Sequence, residues 1–540
     1  IMSSDWSSDV CSSDLLTDLR ALTAEAVPKY VANARALLAR GEFEDARAAA
    51  HTASQLSEGR RACLLLEALT ALCCGDGPAA AELLAGIPPA GAAADDVQPR
   101  TLRGLARLAA DGDRHNLFLS RLGDHLVSRG YAAAAMFVMQ GIRGGIDEMK
   151  PVYRERLQAH FPDLDLQAPG IVIDLDRLHV DLSGQSEVRD ISVFRGMPLV
   201  RLELDHTRVR DISPLRGMPL TRLQLADTYV TDLAPLAGMQ LTHLSVARTL
   251  VRDISPLEGM PLESLDMVRA PVADLGPLRG MPLKALKADR ILTADFDVLA
   301  GLPLEALGLS DTRISDLSVL QGMRLRVLTL RDTQITHIRP LAGMPLKALD
   351  LSNTTIRDIG PLQGMPLKSL QLLTTEVRDI SALKGMPLRH LNLEHTPVSE
   401  LEALAGMPLE ELELGATLVA DVSALRHTRL QRLGLEWSKV SDVQPLAGLP
   451  LRYLNLAYTA VTDLRPLQGM PLEHLELMGL NVSQLDPLLG MPLTTLTLPR
   501  ATDGIDRLRQ IETLRSINGQ PAEDFWRQRD ARAAREIEAD

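Results

Sequence analysis

Several residue groups in this chain have types and spacings that could do chemistry. His390, Glu394 and His395 could contribute metal ligands, and Gly364 ahead of Lys368 and Ser369 could begin a phosphate-cradling loop. Two histidines five apart on an extended segment lack a usual ligand spacing, and the loop lacks the glycine directly before its lysine. The vicinal Cys73 and Cys74 could form a redox element, but in a helical context they read better as small buried hydrophobes. Recurring aspartates of the Asp232 kind read as backbone caps and not as a row of catalytic acids. There is no HExxH, CxxC, GxSxG or calcium-loop pattern, and the kinase catalytic-loop and DFG patterns are missing. No catalytic residue, cofactor site or metal site is therefore expected, and the chain does not read as an enzyme.

Two surface groups remain. Arg248, Arg269 and Arg290 occupy equivalent places on successive repeats and could form an anion patch, with Asp266 and Asp289 near enough to neutralise two of them. Trp437, Tyr453 and Tyr458 fall on two adjacent repeats at positions expected to face outward from short strands. His474 continues the Tyr453 column, and Glu411, Glu413 and Glu436 surround the group. Aromatics make up only 3% of the chain, so exposed rings with a polar surround suggest a partner-binding surface. Incidental rings packing on one another would look the same at this level.

What positions these residues is a repeat. Glycine recurs every 21 residues from Gly196 to Gly406 and again at Gly448, Gly469 and Gly490, with His427 in the one missing slot. A unit runs Gly217-Met218-Pro219-Leu220, then Leu223, Leu225, Thr228, Val230, Asp232, Leu233, Pro235 and Leu236. Leu223 and Leu225 are two apart and should point inward from one strand while Gln224 points out. Leu220, Val230, Leu233 and Leu236 complete an interior that no unit can bury alone. Pro219 suits a strand entry, Pro235 a first turn, and glycine a corner.

The LxxLxLxxT core resembles the leucine-rich-repeat family, in the short-repeat class of internalin-like and phosphatase-regulator-like proteins. The resemblance covers about 60% of the chain, roughly residues 180–500. It implies a β-rich α/β repeat solenoid with short convex turns that binds a protein through its concave face. One departure is that the family's asparagine slot is mostly threonine here, at Thr207, Thr228, Thr249, Thr312, Thr333, Thr354, Thr375, Thr396, Thr417 and Thr459. A hydroxyl makes fewer bonds than a carboxamide, which leaves the bonding between coils open.

The flanks differ. Residues 1–15 repeat a Ser-Ser-Asp triplet without structural period, and 9–15 written back into codons resemble a sequencing-adaptor end, so the segment reads as an artefact. Residues 16–162 are alanine-rich and read as an all-α domain of helical hairpins. Ala34, Leu37, Gly41, Phe43, Ala46 and Ala50, followed by Gly75, resemble tetratricopeptide repeats. Residues 163–179 read as a hinge and the start of an N-terminal cap, and 501–540 as a C-terminal cap and helix. There Leu508, Ile511, Leu514 and Ile517 should cover the last coil, with Phe525 and Trp526 on a helix begun by Pro521. The run 516–526 also resembles the tails of repeat regions attached to bacterial serine/threonine protein kinases. That implies a rival reading, the regulatory portion of a larger kinase.

A net charge of −13 opposes a nucleic-acid partner, no apolar run reaches membrane-spanning length, and the repeat block holds no cysteine, which favours a reducing, cytoplasmic setting. The expected function is a non-enzymatic scaffold for a protein partner. Calorimetric titration with ATP should accordingly show no binding, because neither a phosphate-cradling loop nor a kinase catalytic loop is present. Stoichiometric uptake would refute this.

Overall fold

The computed structural model describes residues 48–51, 153–154, 157–162, 164–166, 172–174, 178–195, 197, 199–499 and 504–539. The adaptor-like residues 1–15, Cys63, Cys73, Cys74 and nearly all of the expected tetratricopeptide-like hairpins and hinge lie outside the described residues. Residues 48–51, 153–154 and 157–160 are helical. The chain divides into two units, Ile1–Leu262 and Glu263–Asp540, taken here one at a time.

In the first unit, strand Val172–Asp174 pairs antiparallel with His179–Asp181. Parallel strands Arg201–Glu203, Arg222–Gln224 and His243–Ser245 follow in order, with Leu202 beside Leu223 and Leu223 beside Leu244. Within the second unit, parallel strands run from Ser264–Asp266 to Thr495–Thr497, each paired with the next. Among the described residues, each unit holds a stack of leucine-rich coils.

The strands are three residues long because alternation fixes only the central side chain inward. Leu223 is buried while Arg222 and Gln224 are half-exposed, and Leu225 turns in directly after the strand. Leu220, Val230, Leu233 and Leu236 are buried as the pattern expects, and Met218, part of the repeat but given no interior role, joins them. Each fully buried leucine stabilises by about 2 kcal/mol relative to an exposed one. The turn opposite the strand is a single 3-10 turn, Ala234–Leu236, with Pro235 near its start. The Asp232 carboxylate accepts the Ala234 N–H at 2.8 Å. The same cap joins Asp211 to Ser213, Asp253 to Ser255 and Asp316 to Ser318, where the serine hydroxyl donates to the second oxygen. These bonds hold the Asp253 and Asp316 carboxyls below the usual carboxylate range.

The threonine slot works within a coil. Thr207 donates its hydroxyl to the Leu204 carbonyl at 2.7 Å, and Thr312, Thr396 and Thr417 do the same three residues back. Neighbouring coils are joined beside this slot by backbone, as when His395 N–H donates to the Gly415 carbonyl at 2.8 Å.

The recurring glycine is the third residue of a type II turn. Arg216 lies at φ −53, ψ 124, Gly217 at φ 70, and Met218 N–H closes onto the Leu215 carbonyl at 3.1 Å. At the glycine-free corner, Arg426 switches to φ −50, ψ −28, and His427 is not among the positive-φ residues. Thr428 N–H still reaches the Leu425 carbonyl at 3.0 Å. A type I turn thus closes the same bond without a left-handed residue.

The chain after the last coil takes up the four apolar residues unequally. Leu508, Ile511 and Ile517 are buried, while Leu514 is half-exposed. Ser516–Ile517 turns back through Asn518 and Gly519, both left-handed, onto Gln520–Pro521. The helix Ala522–Ala539 begins one residue after Pro521. Arg509 lies 4.5 Å from the Trp526 ring and pairs with Asp530, and Arg529 reaches Asp506 at 3.1 Å, which ties the helix to the cap. Among the described residues no helix is long and apolar enough to cross a membrane.

The two corner types differ in what they tolerate. Gly406 has φ 72 with open space where a Cβ would stand, so Gly406→Ala should destabilise by about 1 kcal/mol from backbone strain alone. His427→Ala should change thermal stability much less. Equal losses in parallel melting experiments would contradict the turn assignment.

Candidate functional site

Directly after each strand the backbone passes through a second left-handed position. In the first unit this column reads His206, Asp227, Arg248. In the second it runs from Arg269 and Arg290 through Asp311, Asp332, Asn353, Thr374, His395 and Ala416 to Trp437 and Tyr458, each at φ between 54 and 62. Asp, Asn and His tolerate this region, whereas a bulky residue there is an outlier. Trp437 and Tyr458 therefore sit in the turn after the strand and not on the strand face, which corrects the sequence expectation. Backbone bonds from Trp437 N–H to the Ala457 carbonyl (3.0 Å) and from Tyr458 N–H to the Met478 carbonyl (2.8 Å) fix successive turns against each other.

That register stacks the two rings, with centroids 4.0 Å apart and planes 12° from parallel. Trp437 is 61% exposed, and Met478, whose carbonyl accepts the Tyr458 N–H, is exposed too. The stack ends on Gly479, where a Cβ would stand 2.5 Å from Cδ1 of Tyr458, so the phenol ring lies over bare backbone.

Tyr453 and His474 do stand on the strand face, paired in register with ring centroids 6.4 Å apart. Arg432, one coil earlier, lies 3.7 Å from the Tyr453 ring centroid and donates Nε–H to Glu413 Oε1 at 2.6 Å. Burial raises the Tyr453 phenol and the Glu413 carboxyl, with Arg432 acting against both shifts. Glu411 is exposed and pairs with His390 Nδ1 at 3.0 Å.

Glu436 has the most unusual setting. Burial, together with the charges of Glu394 and Glu413 and a hydrogen bond to Glu394, pushes its carboxyl up to about 7. Its Oε2 is buried without a hydrogen-bond partner among the described residues. Two glycines admit these carboxylates. A Cβ on Gly434 would stand 3.1 Å from Glu436 Oε2 and closer still to Glu413 Oε2, and one on Gly415 would stand 2.7 Å from Glu436 Oε1. The sequence reading gave no role here to Arg432, Glu394, Gly415, Gly434 or Gly479. A glycine off the corner column was the available signal.

The arginine column is largely ion-paired, though through different residues than expected. Arg248 pairs with Asp227 (2.5 Å) and Arg290 with Asp311 (2.7 Å), while Arg269 is exposed. Asp266 instead faces Lys287 at 3.5 Å, and Asp289 accepts the Ser310 N–H at 2.6 Å. His395 belongs to the left-handed column, and among the described residues no group of three or more His, Cys, Asp or Glu could hold a metal ion. Gly364 is a corner at φ 76 and Ser369 opens a strand, so no phosphate-binding helix start exists there.

No protein-family model and no curated protein matches this chain. Solved structures similar to it include the functional domain of InlJ from Listeria monocytogenes, which includes a cysteine ladder. That similarity has 19% identity and a TM-score of 0.43, over 60% of this chain and 74% of that one. Internalin C2 from Listeria monocytogenes is 24% identical with a TM-score of 0.28, over 36% of this chain and 80% of its own. The leucine-rich repeat domain of APL1B is 17% identical with a TM-score of 0.29, over 69% and 92%.

The Glu436 setting predicts a pH effect on stability. Its carboxyl titrates higher in the folded than in the unfolded chain, so the folded state holds the proton more tightly and loses stability as pH rises from about 4.5 to about 7. Glu436→Gln, which stays neutral, should melt higher than the wild type at about pH 8, and the difference should close by about pH 4. A difference that is constant with pH would show that the carboxyl is not strained.

Proposed function

We propose that this chain is a non-catalytic interaction scaffold that binds a protein partner through the strand side of its C-terminal coils, with Trp437 and Tyr458 as the anchor. The observation that supports this reading is the exposed 4.0 Å ring stack at a backbone position that disfavours bulky side chains. Left-handed backbone costs an ordinary residue about 1 kcal/mol or more, and neither ring recovers that by filling the coil interior. The coil needs the left-handed turn but not a ring in it, so two bulky aromatics kept there point to use by a ligand. Two rigid rings also offer a large area for desolvation at small entropic cost, which is the composition of interface hot spots.

The surround suggests the partner's character. Tyr453, His474 and the Arg432–Glu413 pair form a polar margin beside the stack, with Glu411 further out. Glu394 and Glu436 share a hydrogen bond and have no ion pair among the described residues, and a basic side chain from a partner would let Glu436 ionise, which fits a partner segment carrying basic side chains.

Once a partner is captured, Trp437→Ala should weaken binding at least about tenfold and leave the melting temperature nearly unchanged, since the ring lies outside the coil interior. Arg269→Ala, exposed and several coils away, is the control and should matter less. An affinity indifferent to Trp437→Ala and Tyr458→Ala together would make the stack ordinary surface. Dominance of Arg248, Arg269 and Arg290, with steep salt dependence, would place an anionic ligand on the arginine column instead.

A further inference from the structure

In the first unit, Arg189, Arg208 and Arg210 line one open cavity of about 470 Å³ together with Tyr229, Asp190 and Asp211. Repeat stacking assembles it. Arg189 and Arg210 hold equivalent places on adjacent coils, as do Arg208 and Tyr229, and Arg208 and Tyr229 donate their N–H groups to the Val188 and Val209 carbonyls at 2.9 Å. The Arg210 guanidinium lies 5.2 Å from the Tyr229 ring centroid. All three arginines are exposed, and none is ion-paired with a carboxylate among the described residues, unlike Arg248, which is held by Asp227.

The two carboxylates in the lining are committed to their own turns. Asp190 accepts the Ser192 N–H at 2.8 Å and hydroxyl at 2.9 Å, with His160 Nε2 at 3.4 Å. Asp211 accepts the same pair of groups from Ser213. The Ser192 amide holds the Asp190 carboxyl below its ordinary range, so it stays ionised. Three guanidinium groups against two carboxylates leave the cavity net positive, with its acceptors engaged and its forked donors free.

We propose that this cavity binds the phosphate monoester of a phosphorylated side chain on a protein ligand. A tetrahedral dianion matches several forked donors at once, whereas a single carboxylate is satisfied by one guanidinium. The occupant is a peptide and not a polyanion or a lipid surface for two reasons. The chain carries a net charge of −13, and the cap aspartates Asp190, Asp211, Asp232 and Asp253 recur along the same turns, so an extended anionic partner would meet repulsion away from the cavity. Beside the arginines, Tyr229 and Leu250 are 46% and 56% exposed at equivalent places on adjacent coils, which gives the apolar side chains of a peptide a surface to cover. This surface is separate from the Trp437 stack, and the inference does not rest on that reading.

The test uses the full chain and fluorescein-labelled glycine-flanked peptides carrying phosphoserine, phosphotyrosine or the unmodified residues, read by anisotropy. A phosphorylated peptide should bind saturably and its unmodified counterpart should not. Binding should be tighter at about pH 7.5 than at about pH 5, because the monoester gains its second charge near pH 6. Arg208→Gln with Arg210→Gln should weaken binding by about tenfold or more, and the paired lysine substitutions should restore only part of it, since lysine keeps charge without the fork. Trp437→Ala and Arg269→Gln should have no effect. The proposal is overturned if no peptide binds, if the glutamine variant binds as well as the wild type, or if inorganic phosphate binds as tightly as the peptides. It is also overturned if vesicles containing phosphatidylinositol phosphate bind in preference to the peptides.

Discussion

Each coil has to bring its chain back to the same place one repeat later, and it does so with two local reversals of backbone handedness. One is the corner before the strand, where Gly217 and its counterparts take φ near 75. The other follows the strand, where the column from His206 to Tyr458 takes φ near 57. At the first, glycine is the cheap solution, and where it is missing the chain substitutes a type I turn at Arg426 and keeps the closing hydrogen bond. At the second no alternative turn is used, so arginine, threonine, tryptophan and tyrosine all accept a conformation that ordinarily suits Asp, Asn or His.

That second reversal sets out a column of outward side chains. Backbone bonds between successive turns hold the column in register, so side chains a repeat apart are neighbours in space. Opposite charges in the column become ion pairs, as at Arg248 with Asp227 and Arg290 with Asp311. Two aromatic rings become a stack at Trp437 and Tyr458. The column amplifies whatever the sequence places in it, and glycine at 479 sets where the aromatic run stops.

Cohesion and display are carried by different groups. The leucine interior and the parallel backbone ladder hold the coils together, helped by hydroxyls such as Thr242 and Thr494 that donate to the preceding coil, while the threonines of the repeat slot and the aspartate caps spend their hydrogen bonds inside single coils. Outward positions on the strands and in the turns after them are thereby free to vary, and at Glu413 on a strand and Glu394 and Glu436 in the turns they vary toward mutual repulsion. Gly415 and Gly434 let these carboxylates settle against the backbone, where burial raises the carboxyls of Glu413 and Glu436 above their ordinary range.

The period, the inward leucines, the aspartate caps, the glycine corner and the burial of Leu508, Ile511 and Ile517 were legible in the sequence. Each is a local rule repeated in phase, and repetition turns weak signals into strong ones. The adjacency of Trp437 and Tyr458 was legible for the same reason, since equal offsets in a repeat become neighbours. Tertiary structure decided what depends on backbone angle and on side-chain reach between coils. It moved the aromatic pair from the strand into a left-handed turn, paired Arg248 and Arg290 with Asp227 and Asp311 in place of Asp266 and Asp289, and gathered Arg189, Arg208 and Arg210 around Tyr229. Sequence spacing fixes which residues share a column. The direction a side chain takes from that column follows from φ and from the size of its neighbour, and those become known only when adjacent coils pack.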